Sequence, residues 1–107
     1  MKKGMIKVSV LYPGGEGKTF NMDYYTNQHA QLVSSLLGQA IKGFAVDKGL
    51  SGVGPGSPPT YVICGHLYFD STEAFTNAFG PHAQKIMGDV SNFTNIEPVV
   101  QISEVIV

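Results

Sequence analysis

Three histidines, five tyrosines and one cysteine are the side chains in this 107-residue chain that could carry chemistry near neutral pH. His29 is the most informative. It follows Tyr25 by four positions, and at ~100° per residue Met22, Tyr25, Leu32, Val33 and Leu36 share its side of a helix. Imidazole, with an unperturbed pKa of ~6.5, is the natural proton carrier near neutrality, which makes His29 the candidate general acid or base. The same position also suits a packed histidine whose nitrogens bond a backbone carbonyl and a tyrosine. His66 lies mid-strand with Tyr68 on the same side, so it faces either a cavity or a subunit interface. His82 follows Pro81 at a helix start, as a pocket residue or an exposed first-turn residue. Tyr12, Tyr25 and Tyr68 could line a pocket and offer phenolic donors to a carbonyl or phenolate, or serve as core aromatics. Asp89 is either a carboxylate partner for a histidine or a surface acid, and alone it carries no catalytic expectation.

Other chemistries lack their patterns. One cysteine, Cys64, makes no internal disulfide, and no histidine pair has the i, i+4 spacing of a zinc-protease helix, so no metal site is expected. There is no nucleophile elbow. Gly52-Val53-Gly54 runs into Pro55 and Gly56, where the helix of a dinucleotide fingerprint would have to start. His29 could ligate haem, but a single histidine is thin support, and no cofactor is expected.

The elements that must position these groups follow from periodicity. Residues 5–12 alternate, with Ile6, Val8, Val10 and Tyr12 on one side, as a strand does. Asn21 can cap a helix that has Asp23 in its first turn and Gly38 as its terminator. Residues 41–50 read as a second strand. Residues 49–59, with four glycines and three prolines, read as a loop. Residues 60–69 form a third strand, in which Val62, Cys64, His66 and Tyr68 alternate with Tyr61, Ile63, Gly65, Leu67 and Phe69. Asp70 or Ser71 caps a short helix carrying Ala74, Phe75, Ala78 and Phe79. Gly80-Pro81 breaks it, and Ala83, Ile86, Met87, Val90 and Phe93 form the stripe of another. A last strand spans residues 99–107.

The order strand-helix-strand-strand-helix-strand predicts an α+β, ferredoxin-like βαββαβ fold with a four-stranded antiparallel sheet, as one domain over residues 1–107. Helices can cover only one sheet face, and both parities of the third strand are largely apolar. A second copy packed sheet against sheet, a homodimer, is therefore expected.

Composition agrees. Hydrophobic residues make up 43% and charged residues 14%, against a typical ~25% charged, which excludes a disordered chain. A net charge of -1 argues against nucleic acid as a partner. The apolar stretch after Met1-Lys2-Lys3-Gly4 is interrupted by Lys7 and ends at Pro13, too short for a signal or membrane span. With one cysteine, a cytoplasmic location is expected.

Several segments resemble the EthD family, named for ethyl tert-butyl ether degradation. They are Tyr12-Pro13, Phe20 and Asp23-Tyr24-Tyr25-Thr26-Asn27-Gln28-His29-Ala30-Gln31-Leu32-Val33; then Phe69-Asp70-Ser71-Thr72-Glu73-Ala74-Phe75; and Gly88-Asp89-Val90-Ser91-Asn92-Phe93-Thr94-Asn95-Ile96-Glu97-Pro98-Val99-Val100-Gln101. The resemblance implies a dimeric α/β barrel, and it implies that His29 is the family's recurring helix histidine. Gln31 departs from it, because many relatives carry proline there. Relatives in the wider superfamily include cofactor-free monooxygenases, muconolactone isomerases, dehydratases or decarboxylases of polyketide pathways, and haem-binding members.

The expected function is a homodimer that takes a small apolar or aromatic oxygenated compound between sheet and helices. His29 would move a proton while tyrosines orient a carbonyl, without a cofactor. The rival expectation is a non-catalytic binding protein or an accessory to an oxygenase system. A third is a barrel filled by its own side chains, with no room for a ligand.

Overall fold

The computed structural model describes residues 2–107. Four strands, β1 (Ile6–Pro13), β2 (Gly43–Lys48), β3 (Tyr61–Phe69) and β4 (Val99–Glu104), form one sheet in the order β2-β3-β1-β4. Every pairing is antiparallel. The helices are α1 (Met22–Tyr24), α2 (Ala30–Leu37), α3 (Thr72–Phe79) and α4 (Ala83–Gly88). This is the ferredoxin-like α+β arrangement expected from the element order. β2 is shorter than the 41–50 expectation, although its ladder continues through Lys42 N to Tyr68 O (2.7 Å) and Gly49 N to Val62 O (2.9 Å). β4 stops at Glu104 rather than running to 107.

Register decides which side chains share a face. Val8 pairs with Leu67, Val10 with Gly65 and Tyr12 with Ile63, and this set faces the helices. The opposite face carries Tyr68 beside Lys7, His66 beside Ser9, and Cys64 beside Leu11. β2 adds Ala45 and Asp47 there, and β4 adds Gln101 and Ser103. That outer face is therefore mixed rather than uniformly apolar. The third strand read alone suggests a greasy second face, but its cross-strand neighbours supply the polar groups.

Asn21 caps α1 as expected, its Oδ1 accepting from Tyr24 N at 3.0 Å. A π-helical turn over Tyr25–His29 joins α1 to α2, with Ala30 N bonding back to Tyr25 O. This turn holds one residue more than an α-turn. An α-helix would already set Tyr25 and His29, four apart, on one face; the extra residue keeps positions spaced by four aligned along the segment. Both are buried, as are Val33 and Leu37. Leu37, not Leu36, completes the buried stripe, and Gly38 ends the helix at φ +56°. Ser71, rather than Asp70, caps α3 by accepting from Ala74 N at 3.0 Å. A 3₁₀ turn (Gly80–His82) leads into α4, and another (Val90–Asn92) follows it.

The core has two parts. Val8, Val33, Leu37, Leu67, Phe69 and Ile86 form one. Tyr12, Tyr25, Ile63, Phe93 and Ile96 form the other. Burial of each such side chain contributes about 1.5–3 kcal/mol. Residues 93–96 also clamp the loop after β1. Thr94 Oγ1 donates to Thr19 O (2.6 Å) and accepts from Ile96 N (3.0 Å). Asn95 bonds Thr19 N and Gly17 O, both at 2.9 Å. The Asn-Phe-Thr-Asn run thus has a structural reason to be there. Among the described residues no helix is long and apolar enough to cross a membrane.

Candidate functional site

His29 projects from the π-turn into a cavity of about 260 Å³ between sheet and helices. Its walls are almost entirely apolar: Val8, Val10 and Leu67 from the sheet, Val33, Phe75 and Ile86 from the helices. The polar atoms come from His29, Tyr12 and Tyr25, which all line it. Of the six candidate site residues, the structure brings Tyr12, Tyr25 and His29 to this cavity. Within the protomer, side chains do not fill the space between sheet and helices.

The π-turn sets the ring geometry. Tyr25 stacks on His29 with centroids 5.5 Å apart and planes 21° apart. Phe93 closes on the imidazole from another side at 4.7 Å. Only 6% of His29 is exposed. A buried imidazole needs partners for its nitrogens, and Asp89 supplies one: Oδ2 lies 2.9 Å from His29 Nδ1. The other carboxylate oxygen accepts from the Tyr24 hydroxyl (2.7 Å) and from Asn92 Nδ2 (2.9 Å).

Burial by itself would raise the Asp89 carboxyl. The hydrogen bonds from Tyr24, Asn92 and His29 outweigh it and hold the group below its ordinary value. Asp89 is thus an anion that can only accept, so Nδ1 of His29 donates to it, and in the neutral ring Nε2 carries the lone pair. Nε2 makes no hydrogen bond among the described residues.

The two cavity tyrosines stay protonated. Burial, with the neighbouring Tyr25, pushes the Tyr12 phenol far above its ordinary value. Burial, with Cys64, pushes Tyr25 up to about 12. Each is therefore a donor rather than a base near neutrality. Tyr25 lies against β3 where Gly65 has no side chain, and a Cβ there would stand 3.1 Å from the Tyr25 hydroxyl.

The remaining candidates lie elsewhere. Tyr68 and His66 sit on the outer sheet face, on the side away from the cavity, so neither meets His29 in this protomer. His66 Nε2 pairs with Asp47 Oδ2 at 2.9 Å, and Tyr68 lies under Lys7 at 6.0 Å. His82 falls in the 3₁₀ turn before α4, half-buried and outside the cavity lining. Strand parity explains the first two, because Tyr68 is out of phase with the buried Leu67 and Phe69. Burial raises the Cys64 thiol on the outer face, Asp47 raises it further and Lys7 partly offsets them, which makes it a poor nucleophile.

Sequence reasoning did not find Tyr24, Asn92, Phe93 or Gly65 as parts of the site. The Tyr24-Tyr25 pair was the available signal, since adjacent helical residues face different sides and can serve two compartments. Among the described residues, no three His, Cys, Asp or Glu side chains converge as a metal would need.

The comparisons with known proteins fit this geometry. The EthD domain model matches residues 15–97. A solved EthD-like protein from Ralstonia eutropha is 44% identical, with a TM-score of 0.91 over 99% of this chain and 96% of that one. An ethyl tert-butyl ether degradation family protein from Bacillus halodurans shares 18% identity, with a TM-score of 0.64 over 94% and 97% of the two chains. A dimeric ferredoxin-like protein of unknown function from Thermobifida fusca shares 15%, with a TM-score of 0.62 over 98% and 94%. These last two share the fold. Among curated proteins none matches. With the family model spanning most of its length and a close structural relative beside it, the chain belongs to the EthD family.

Proposed function

We propose that this EthD-family protein is a homodimer that binds a small, uncharged, apolar or aromatic compound bearing a carbonyl or phenol, and that it catalyses cofactor-independent proton transfer on it. His29 Nε2 is the general base or acid. Tyr12 and Tyr25 donate hydrogen bonds to the ligand oxygen and steady the enolate or phenolate that forms. Asp89 fixes the imidazole tautomer and balances the imidazolium charge. Dehydration, isomerisation, decarboxylation and oxygenation of an activated carbanion all begin with such a step.

The observation that carries this reading is the bond from His29 Nδ1 to Asp89, which leaves Nε2 as the basic nitrogen of a residue lining an apolar cavity. The ligand class follows from the walls. No lysine, arginine or carboxylate lines the cavity, so a charged group entering it would go unpaired. The volume of about 260 Å³ is just below the ~300–1,000 Å³ of drug-sized ligand sites, which favours a compact molecule. The homodimer is supported by the dimeric state of the Thermobifida relative. Half-exposed Val99, on the outer face of the edge strand beside Leu11, also supports it.

The test is a thermal-shift screen of neutral phenols, quinones and cyclic ketones, followed by product analysis of the stabilisers. His29→Ala should cut turnover by about 10²–10⁴-fold while sedimentation still reports a folded dimer. Full activity of that variant would refute the catalytic role. Stabilisation without any product would favour a carrier or an accessory of an oxygenase system.

A further inference from the structure

On the outside of the helices, opposite the apolar cavity, lies a polar groove of about 400 Å³ lined by Tyr24, Gln28, Leu32, Lys85, Gly88, Asp89 and Asn92. Asp89 belongs to both sides: it holds His29 from within and forms part of the groove wall without. The geometry points to the Tyr24–Asp89–Asn92 cluster as a proton port. Through it His29 exchanges protons with groove water, independently of the cavity that would hold the ligand.

The argument is one of compartments. His29 is packed between Tyr25 and Phe93, and its other side gives on to the apolar cavity, whose mouth lies at half-exposed Val100. Those walls offer almost no polar atoms on which a water chain could be hung, and a bound apolar ligand would exclude what water there is. Asp89 is the one hydrogen-bond partner of the ring among the described residues. Its side chain is 13% exposed, against 8% for the His29 side chain. Tyr24 and Asn92 fix its second oxygen at the groove surface. The adjacent tyrosines divide the work, since Tyr25 serves the cavity and Tyr24 the groove.

The proton balance is simple. When Nε2 takes a proton from the ligand, the ring becomes an imidazolium whose charge Asp89 balances. Its Nδ1 proton is exchanged by brief transfer to Asp89 Oδ2 and replacement from groove water, so that Nδ1 is protonated and Asp89 ionised before and after. Return of the Nε2 proton to the ligand restores the starting state. Other titratable groups bordering this path are Lys85 in the groove and Tyr12 and Tyr25 in the cavity.

This port rests on the reading of His29 as a proton carrier, yet it can be tested without any substrate. In nitrogen-15-labelled protein, exchange of the His29 Nδ1 proton with water is measured by NMR in two plugged variants. Gly88→Leu fills the groove, where a Cβ meets nothing within 4 Å. Val100→Trp fills the cavity mouth at a residue 48% exposed. The expectation is exchange slowed by about tenfold or more in Gly88→Leu and unchanged in Val100→Trp. Asp89→Asn, which keeps the shape but cannot relay a proton, should slow exchange without filling space. Slowing by Val100→Trp alone, equal slowing by both plugs, or wild-type exchange in Gly88→Leu or Asp89→Asn would each overturn the port. Whether turnover exists is answered separately by His29→Ala, so the two ideas fail by different observations.

Discussion

The Tyr25 hydroxyl rests against the bare backbone of Gly65, where a methyl group would fit only tightly: a Cβ would come within 3.1 Å of it. The missing side chain in the middle of β3 is thus what lets a helix tyrosine reach the sheet. Glycine inside a strand is otherwise unfavourable by roughly 0.5–1 kcal/mol relative to alanine. Gly65→Ala should therefore regain that amount but lose about 1–3 kcal/mol to overpacking, a net destabilisation readable as a lower urea midpoint. In a double-mutant cycle, Tyr25→Phe should recover most of the loss, because it removes the atom the new methyl meets. Simple additivity of the two changes would contradict the contact.

Asp89 should make the protein sensitive to acid. Its carboxyl sits below the ordinary value of 3.8 in the folded state, with burial opposing and three hydrogen bonds lowering it. A depressed carboxyl contributes stability that is fully present above the unfolded value and is lost as pH falls through the folded one. Between neutrality and pH 5 the wild type and Asp89→Asn should show parallel stability profiles. Below about pH 4 the wild type should fall more steeply. Urea midpoints across that range check it, and matching slopes in the acid limb would sink the assignment.

The π-turn is the register device of the site. Deleting exposed Asn27 should convert it to an α-turn with Tyr25 and His29 three apart, which offsets the two rings by about 60° around the axis. Helical circular dichroism should persist, while stability drops by about 2–4 kcal/mol through lost burial. The His29 ring signals should move as well, as the bond to Asp89 or the stack on Tyr25 is lost.

Thr94 tests the clamp on the loop after β1. Thr94→Val keeps the shape but leaves Thr19 O and Ile96 N without their partner. The expected cost is about 1–3 kcal/mol in chemical unfolding. Ligand-induced stabilisation should be unaffected, since Thr94 does not line the cavity.

Much of this was legible in the residues. The sheet, both helix caps and the shared side of Tyr25 and His29 on their helix follow from alternation and spacing, which are local. Asp89 lies 60 positions from His29, and no local pattern says which acid a fold will bring to a histidine. Tyr68 shows a different limit. With both parities of β3 apolar, its sequence alone does not say which set faces the helices. That information sits in β1, where Lys7 and Ser9 mark the outer side. The π-turn leaves no compositional mark, so Leu36 reads as core although Leu37 holds that place.

The helices leave the inner side of β4 uncovered, with Val100 and Ile102 about half exposed on the face shared with Val10 and Val8. The proton-handling residues ride on the helices and the connection after α4, whereas the rim of the cavity is set by an edge strand that none of them touches. Descendants of one ancestor could therefore trade side chains along that strand and admit broader or narrower guests, while inheriting the imidazole–carboxylate pair unaltered.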